Sequence, residues 1–206
     1  MRSEREKMMA GDWYRSWDPE LMAIQQESRR VCREYNACPE DKPLERRALL
    51  EKLLGEVGEY AWINSPFHCD YGMNIKLGSR VFLNFNCVVL DCGEVRIGND
   101  VFIGPAVQIY TVIHPLAPDT RWSQIGVRAE PVVIGDDVWI GGGVIICPGV
   151  KIGSHSVIGA GSVVTKDIPA GVLAVGNPCR VIRPLDQEER PPEHDTPLPP
   201  PELDKR

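Results

Sequence analysis

The sequence predicts a mainly β fold: a parallel β-helix solenoid behind an N-terminal helical cap and ahead of a Pro-rich C-terminal tail. Three observations carry that reading. Aliphatic residues recur at six-residue intervals, at Ile134, Ile140, Ile146, Ile152, Ile158 and Val164. Glycine follows four of them, as Gly135, Gly141, Gly153 and Gly159, with Cys147 and Thr165 after the others. Four residues after each anchor a second row repeats, through Val138, Val144, Val150, Ser156, Ser162 and Ile168. A helical period would spread these anchors around a cylinder, and simple alternation would not demand glycine at one phase. Such a unit makes one short strand and a corner, and three units close a coil. The anchor is expected inside the coil, with the glycine in a crowded or positive-φ corner. Stacked coils then bury a continuous aliphatic column.

The elements follow in chain order. Residues 1–60 read as a helical cap. Asp18-Pro19-Glu20 is a helix start, with Asp as cap and Pro at the first helical position. Leu21, Ile24, Val31 and Tyr35 fall on one helical face, and Leu44, Leu49, Leu50, Leu53, Leu54 and Val57 supply another. Pro39 and Pro43 separate the two helices. Covering the open end of the solenoid is the expected task of this segment, since strand edges there lack partners. Residues 61–183 read as the hexapeptide-repeat domain. Leu77-Gly78, Leu83 and Val89 form one upstream set, and Ile97-Gly98, Ile103-Gly104 and Ile109 another. The phase slips by two residues at Cys92-Gly93-Glu94, which reads as a corner bulge. It is lost between His114 and Ile134, a gap long enough for a loop that leaves the solenoid, and loops of that length are usually functional. The stretch from Pro115 to Pro131, with Trp122 as an anchor, is expected to reach a neighbouring subunit. Residues 184–206, rich in proline and charge, cannot bury a core and are expected to be disordered.

Composition narrows the function. A formal charge of −6 and a pI near 5.3 over 206 residues argue against non-specific binding to nucleic acid or anionic membranes. No apolar run is long enough to span a bilayer. The first nine residues are charged and lack the apolar centre of a signal peptide. Seven cysteines, none in a Cys-x-x-Cys pair, fit reduced thiols in a cytoplasm. Cys87 and Cys147 read as small buried hydrophobes.

Several segments together resemble one family, the maltose and galactoside O-acetyltransferases. They are Lys7-Met8-Met9-Ala10-Gly11-Asp12-Trp13-Tyr14, Phe67 to Ile75 around Cys69-Asp70-Tyr71-Gly72, Asn84-Phe85-Asn86, and Ile109 to Pro115 ending in His114-Pro115. Ile134 to Gly142, Gly161 to Asp167 and Gly176 to Arg183 complete the set. The similarity runs from about Glu4 to Arg183. Hexads alone are shared by many acyltransferases and some non-enzymes; the ordered set with His114-Pro115 is far more specific. The resemblance implies a left-handed parallel β-helix, against the usual right-handed crossover, and a homotrimer with acetyl-CoA sites between subunits.

Acetyl transfer from a thioester to a hydroxyl needs a base, and histidine suits neutral pH. The chain offers His68, His114, His155 and His194. His194 lies in the tail, His155 reads as an outward surface residue, and His68 as lying ahead of the repeats. His114 stands where the hexads break into the long loop. A structural histidine is the competing reading; the Thr-Val-Ile-His-Pro match turns it into the expected general base. By the resemblance, Asn84 contacts the reacting groups, either donating to the developing oxyanion or holding the acceptor. A corner asparagine ladder is the competing role. Gly142 would offer a backbone N–H to the thioester oxygen, although many relatives carry serine there. The phosphates of CoA need local positive charge in an acidic chain. The resemblance places Lys166, Arg180 and Arg183 there, with Ala160 and Thr165 along the groove; a solvated basic edge is the bland reading of the same charges.

For the acceptor, Asp70 and Tyr71 offer a carboxylate and an aromatic surface. Asp18 is a further candidate, with a helix cap alone as its competing role. The position of a second carboxylate in some relatives falls at Cys92. The expected reaction is acetyl transfer from acetyl-CoA to a sugar such as maltose, glucose or a galactoside, with no metal. A γ-carbonic-anhydrase-type zinc enzyme would need three converging histidines and a His-x₄-His pair, which the chain lacks. Acetyl transfer to serine or to an antibiotic, and a non-catalytic hexapeptide scaffold, are the competing functions.

Overall fold

The structure, a computed structural model, describes residues 2–121 and 126–185. Trp122 and the tail from residue 186 onward lie outside the described residues. Helices α1 (Glu4–Met9), α2 (Pro19–Ala37) and α3 (Pro43–Leu53) open the chain. Short strands then wind into coils. The first coil is β1 (Glu56–Val57), β2 (Trp62–Ile63) and β3 (Phe67–Cys69). The second is β4 (Ile75–Leu77), β5 (Phe82–Leu83) and β6 (Cys87–Leu90), and the third β7 (Val95–Ile97), β8 (Phe102–Ile103) and β9 (Gln108–Tyr110). An excursion carries β10 (Val112–Ile113), the short helix α4 (Pro118–Arg121) and β11 (Arg128–Ala129). The fourth coil is β12 (Val132–Ile134), β13 (Trp139–Ile140) and β14 (Ile145–Ile146), and the fifth β15 (Lys151–Ile152), β16 (Val157–Ile158) and β17 (Val163–Val164). A hairpin of β18 (Val172–Val175) and β19 (Arg180–Pro184) ends the solenoid.

Three sheets result, one per face of the coil. The first face is β1-β4-β7-β12-β15, the second β2-β5-β8-β13-β16-β18-β19 and the third β3-β6-β9-β14-β17. Pairing between successive coils is parallel throughout, and within these three sheets β19 alone runs back antiparallel. The first coil starts at Glu56, inside the stretch read as helical cap, so Val57 belongs to a strand and His68 to β3. Pro184 closes β19, and Leu185 N–H donates to Gly171 O at 2.8 Å, so these two residues belong to the hairpin rather than the tail.

Register explains the phase slips. Trp62, Phe82 and Phe102 stack at 20-residue steps, Trp139 and Val157 at 18, and Val157 and Leu173 at 16. The two extra residues of each long coil sit at one place, the third corner, between the third and first faces. The slip at Cys92-Gly93-Glu94 is one instance; Asp70 to Asn74 is the same bulge one coil earlier. The excursion leaves from that corner too. Where the last coil is shorter, inward serines bridge to it: Ser156 Oγ donates to Pro169 O at 2.9 Å, and Gly176 N–H donates to Ser162 Oγ at 3.0 Å.

The anchors are buried as the hexads require, with Ile140, Ile146, Ile158 and Val164 at 0% exposure. The glycines after them are explained by crowding alone. A Cβ at Gly141 would stand 2.5 Å from Ala160 N, and one at Gly135 would stand 2.5 Å from Ser154 Oγ. Positive φ belongs elsewhere, at the third residue after the anchor. Arg80, Asp100, Asp137 and His155 hold it at the first corner, and Asn86, Ala106, Gly143 and Gly161 at the second. Those corners turn through the left-handed region, which Asp, Asn and His enter at modest cost.

The open end of the first coil is closed by side chains. Arg47 Nη2 and Nη1 donate to Val57 O and Gly58 O at 2.8 and 2.6 Å on the first face. Arg46 Nη2 donates to Ile63 O at 2.9 Å on the second, joined by the Tyr35 hydroxyl. Asn36 serves the third: its Nδ2 donates to Phe67 O at 2.8 Å and its Oδ1 accepts from Phe67 N–H at 2.9 Å. Each exposed strand edge thus meets a polar group from α2 or α3, which satisfies groups that are costly to bury alone. Arg46 is 1% exposed and lies 4.3 Å from the Tyr35 ring centroid and 5.2 Å from that of Trp62, so its charge is held by π faces and carbonyls. Leu50, Leu53 and Leu54 pack into the main core; Leu44, read on the same face, is 57% exposed.

The earlier N-terminal residues do something different. Met8, Tyr14 and Leu21 join Tyr71, Cys92, Val127 and Ala129 in a second core at the third corner. There β10 and β11 form an antiparallel ribbon, Val112 opposite Ala129. Tyr14 adds a third edge, exchanging backbone hydrogen bonds with Val127 at 2.9 and 3.0 Å. The stretch expected to reach a neighbour is therefore pinned at its base by its own N-terminus.

The two kinds of glycine should respond differently to alanine. Gly141→Ala drives a methyl into the next coil's backbone and should cost about 3 kcal/mol. Gly143→Ala meets nothing within 4 Å at φ +69 and should cost about 1 kcal/mol for its left-handed backbone. Urea melts of both variants check the order; equal losses would contradict the crowding argument.

Candidate active site

Most of the expected site residues fall on two corners; Asp18 lies at the start of α2, and Arg180 and Arg183 on β19. At the third corner Asp91 organises the others. It stands in the inward phase of Cys87, Val89 and Asp91 and is 0% exposed. Its Oδ1 accepts from Asp70 N–H at 3.0 Å and Tyr71 N–H at 2.9 Å, and its Oδ2 from Asn74 N–H at 3.3 Å. Asn74 Nδ2 returns a hydrogen bond to Asp91 O at 2.8 Å. One carboxylate therefore shapes the whole bulge. Burial pushes its carboxyl up to about 7, the neighbouring Asp70 charge adds to the rise, and the backbone donors pull the other way.

The bulge holds Asp70 with its carboxylate largely enclosed. Gln25 Nε2 donates to Oδ1 at 3.0 Å, Arg29 stands 3.9 Å away, and the Cys92 thiol donates to Oδ2 at 3.6 Å. Burial raises the Asp70 carboxyl, opposed by Cys92, Arg29 and Gln25. Tyr71 and Cys92 differ from the expectation: at 3% and 6% exposure they pack inside the second core, so neither offers an open surface to a sugar. The N-terminal segment covers them. Asp18 Oδ1 caps α2, accepting from Glu20 N–H at 3.0 Å and Leu21 N–H at 3.4 Å.

His114 follows β10 directly, exposed at the head of the ribbon. The ribbon's base is clamped by Thr111, whose Oγ1 donates to Leu90 O at 2.6 Å and accepts from Gly93 N–H at 2.8 Å. This ties the histidine's strand to the Asp91 bulge. Among the described residues His114 has no hydrogen-bond partner to orient its ring. His155 is exposed and contacts Asp137 at 3.0 Å on the first corner, away from both sites.

Asn84, Gly142 and Ala160 stack on the second corner, in coils two, four and five. Asn84 takes part in an asparagine ladder, the competing role for it: its Oδ1 accepts from Asn64 Nδ2 at 3.3 Å and from Phe85 N–H at 2.8 Å. Its oxygen is thus occupied, and its amide N–H groups are what it can offer a ligand. Gly141 and Gly143 N–H donate to Ile158 O and Pro105 O at 2.8 Å. Among the described residues Gly142 N–H has no backbone acceptor. Phe82, Phe102 and Trp139 run alongside as an aromatic stripe on the second face, Phe102 and Trp139 each 58% exposed.

Thr165 and Lys166 are exposed at the third corner of the fifth coil, just past β17. Arg180 and Arg183 lie on β19, opposite Val175 and Leu173 on the second face. The expected cofactor residues are thus divided among two corners and the second face of one chain. Asp91, Gln25 and Arg29 were missed from the sequence; a carboxylate at an inward phase was the available signal for Asp91. Among the described residues no cluster of His, Cys, Asp or Glu is placed to hold a metal, and no helix is long and apolar enough to cross a membrane.

Comparison with known proteins matches this arrangement. Residues 7–58 match the maltose acetyltransferase hexapeptide capping motif, and residues 131–166 the bacterial transferase hexapeptide (six repeats). The chain is 50% identical to Nodulation protein L of Rhizobium meliloti over 181 residues, covering 87% of this chain and 98% of that protein. It is similar to the crystal structure of a maltose O-acetyltransferase from Clostridium difficile 630, with 45% identity, TM-score 0.88, and 90% and 99% of the two chains covered. Galactoside acetyltransferase in complex with coenzyme A matches at 35% identity and TM-score 0.87, over 97% of this chain and all of that one.

Asp91 gives a test of the bulge. Asp91→Ala strands three backbone donors and should cost about 3 kcal/mol. Asp91→Asn keeps an acceptor but cannot ionise. The folded carboxyl lies above the ordinary range, so the native state holds a proton the unfolded chain has released. Wild-type stability should therefore fall as pH rises from about 4 to about 7, then level off. The Asn variant lacks that slope. Melts across this window should show wild type losing stability relative to the Asn variant as pH rises; parallel curves would contradict a buried, proton-holding Asp91.

Proposed function

The chain belongs to the maltose and galactoside O-acetyltransferase family of hexapeptide-repeat enzymes, and on that premise we propose that this CoA-dependent acetyltransferase acetylates a sugar hydroxyl, as on maltose, glucose or a galactoside, with His114 as general base. The observation that carries the proposal is the pairing of an exposed histidine, braced to an acidic corner, with donors free of backbone partners on a second corner. Acetyl-CoA supplies the acyl group as a thioester. His114 takes the proton of the acceptor hydroxyl as its oxygen attacks, then returns that proton to the departing sulfur. Gly142 N–H donates to the charge that develops on the thioester oxygen, and the Asn84 amide, two coils away, holds the acceptor hydroxyl. Asp70, held by Gln25 and Arg29, accepts from a further hydroxyl of the sugar and orients the ring, and Asp18 at the start of α2 is a further acceptor contact. Lys166, Arg180 and Arg183 take the CoA phosphates, and Thr165 and Ala160 line the path between.

The same residues support a homotrimer. Asn84 and His114 stand at opposite ends of the third face, separated by at least the four residues of β6, or about 13 Å of strand. A reacting centre is about 3 Å from its base, so one chain does not close the site. A neighbour bringing its second corner to this chain's third corner does. It would also cover the aromatic stripe of Phe102 and Trp139, an apolar surface that a lone subunit leaves in water.

His114→Ala should lower kcat by about 10²–10⁴-fold with little change in the acetyl-CoA KM. Steady-state assay of thiol release checks it, and near-normal turnover would remove His114 from the role.

Shared sites predict complementation. Neither Asn84→Ala nor His114→Ala trimers contain an intact site. Mixed and reassembled at equal amounts, three quarters of the trimers are hybrids with one intact site in three, giving about a quarter of wild-type activity. Activity that stays at the level of the parents would place both residues in one subunit's site.

A further inference from the structure

We propose that Cys32 and Cys69 are an oxidation site, a thiol pair that a peroxide converts into a disulfide fastening α2 to the first coil. Their sulfurs lie 3.5 Å apart, the one thiol–thiol contact among the described residues. They belong to separate elements, α2 and β3, and both are buried.

The approach is fixed by its surroundings. Ser28, Cys32 and Asn36 stand at four-residue steps on α2. Opposite them run Tyr71, Cys69 and Phe67 at two-residue steps. Four residues of helix rise about 6.0 Å and two of strand about 6.6 Å, so the rungs stay matched. The Ser28 hydroxyl donates to Tyr71 O at one end, and Asn36 brackets Phe67 N–H and O at the other. The thiol pair is the middle rung, held between two hydrogen-bonded ones, so the sulfurs cannot drift apart without breaking a neighbour.

Access and polarity are also present. Both cysteines line an open hollow of about 390 Å³ shared with Arg29, Arg33 and His68. A peroxide fits such a space, while the remaining five cysteines have no thiol within reach. The contact with Cys69 holds the Cys32 thiol below its ordinary range, with the Arg33 charge acting the same way. Cys69 is correspondingly raised, first by that same contact and then by burial. Arg33 follows Cys32 on α2 and lines the same hollow, so negative charge is favoured on Cys32, the attacking thiolate. Its sulfur bonds to one peroxide oxygen as the O–O bond breaks, and the departing hydroxide takes a proton to become water. Cys69 sulfur then displaces the remaining oxygen from Cys32, its own proton leaving with that oxygen as a second water. Two thiols lose two electrons and two protons; the peroxide gains them.

The test treats folded, reduced protein with stoichiometric hydrogen peroxide. Titratable thiols should fall by two from seven, and the intact mass should drop by two hydrogens. Non-reducing peptide maps should join Cys32 to Cys69, and Tm should rise by several degrees until dithiothreitol reverses it. Cys69→Ser should stop at a sulfenic acid on Cys32 that dimedone traps; Cys32→Ser should yield neither product. Peroxide that modifies Cys38 or Cys147 while Cys32 and Cys69 stay reduced overturns the proposal, as does a sulfenic acid trapped on Cys69 rather than Cys32. None of these readouts uses acetyl transfer, so their outcome is separate from that of the catalytic reading.

Discussion

Close stacking of one coil on the next is the constraint from which the rest of the molecule follows. Successive coils lie one strand spacing apart, about 4.8 Å, and every turn must repeat its predecessor's path. The slot after each anchor then has no room for a side chain where the next coil's backbone passes overhead, as at Gly104, Gly141 and Gly153. Asn64 and Asn84 occupy that slot in the first two coils by hydrogen bonding to one another. Stacking also leaves an unpaired edge at each end. At the N-terminal end three polar residues and a buried guanidinium close it, and at the C-terminal end β19 folds back over β18. Such edges otherwise invite association with other chains.

A stacked column tolerates extra residues only where they can leave it. Here they leave at one corner: two in the first coil, two in the second, and a whole ribbon after the third. That corner acquires what the regular faces lack, namely a second hydrophobic core and a buried carboxylate, and it carries His114. The N-terminal forty residues divide along the same line, with Met8 to Leu21 covering the bulged corner and Val31 to Tyr35 closing the end. The histidine and the buried carboxylate thus gather where the repeat is broken, while Asn84 and Gly142 stay on the regular second corner.

The repeating part of the fold was legible because its cause is local: one aliphatic per hexad marks the interior whatever else changes. Asn84, Gly142, Lys166 and Asp70 do lie at corners, yet the motif could not say that Asn84 and His114 occupy different ones; that follows from how many strand residues intervene. Other features left no local trace. The left-handed corner positions accept Arg, Asp, His and Gly alike, so composition does not mark them. Arg46 is buried against Tyr35 and Trp62, which lie distant in sequence, and no periodicity can announce an interior cation. Leu44 belongs to an apolar helical face yet stays in water, because α3 meets the coil chiefly through Leu50 and Leu53. The burial of Tyr71 and Cys92 depends on Tyr14 pairing with Val127, a contact across more than half the chain.

Because coils stack at a fixed spacing, the solenoid is a ruler with coarse graduations. Asn84, Gly142 and Ala160 share one corner but lie two coils and then one coil apart, so about 14 Å separates the first from the last. No side-chain change can alter that length gradually; only the gain or loss of a complete coil moves it, and then by a whole graduation. A lineage built on this scaffold would therefore match carriers with longer or shorter arms in jumps, by duplicating or deleting coils, while point substitutions adjusted only what is held at each end.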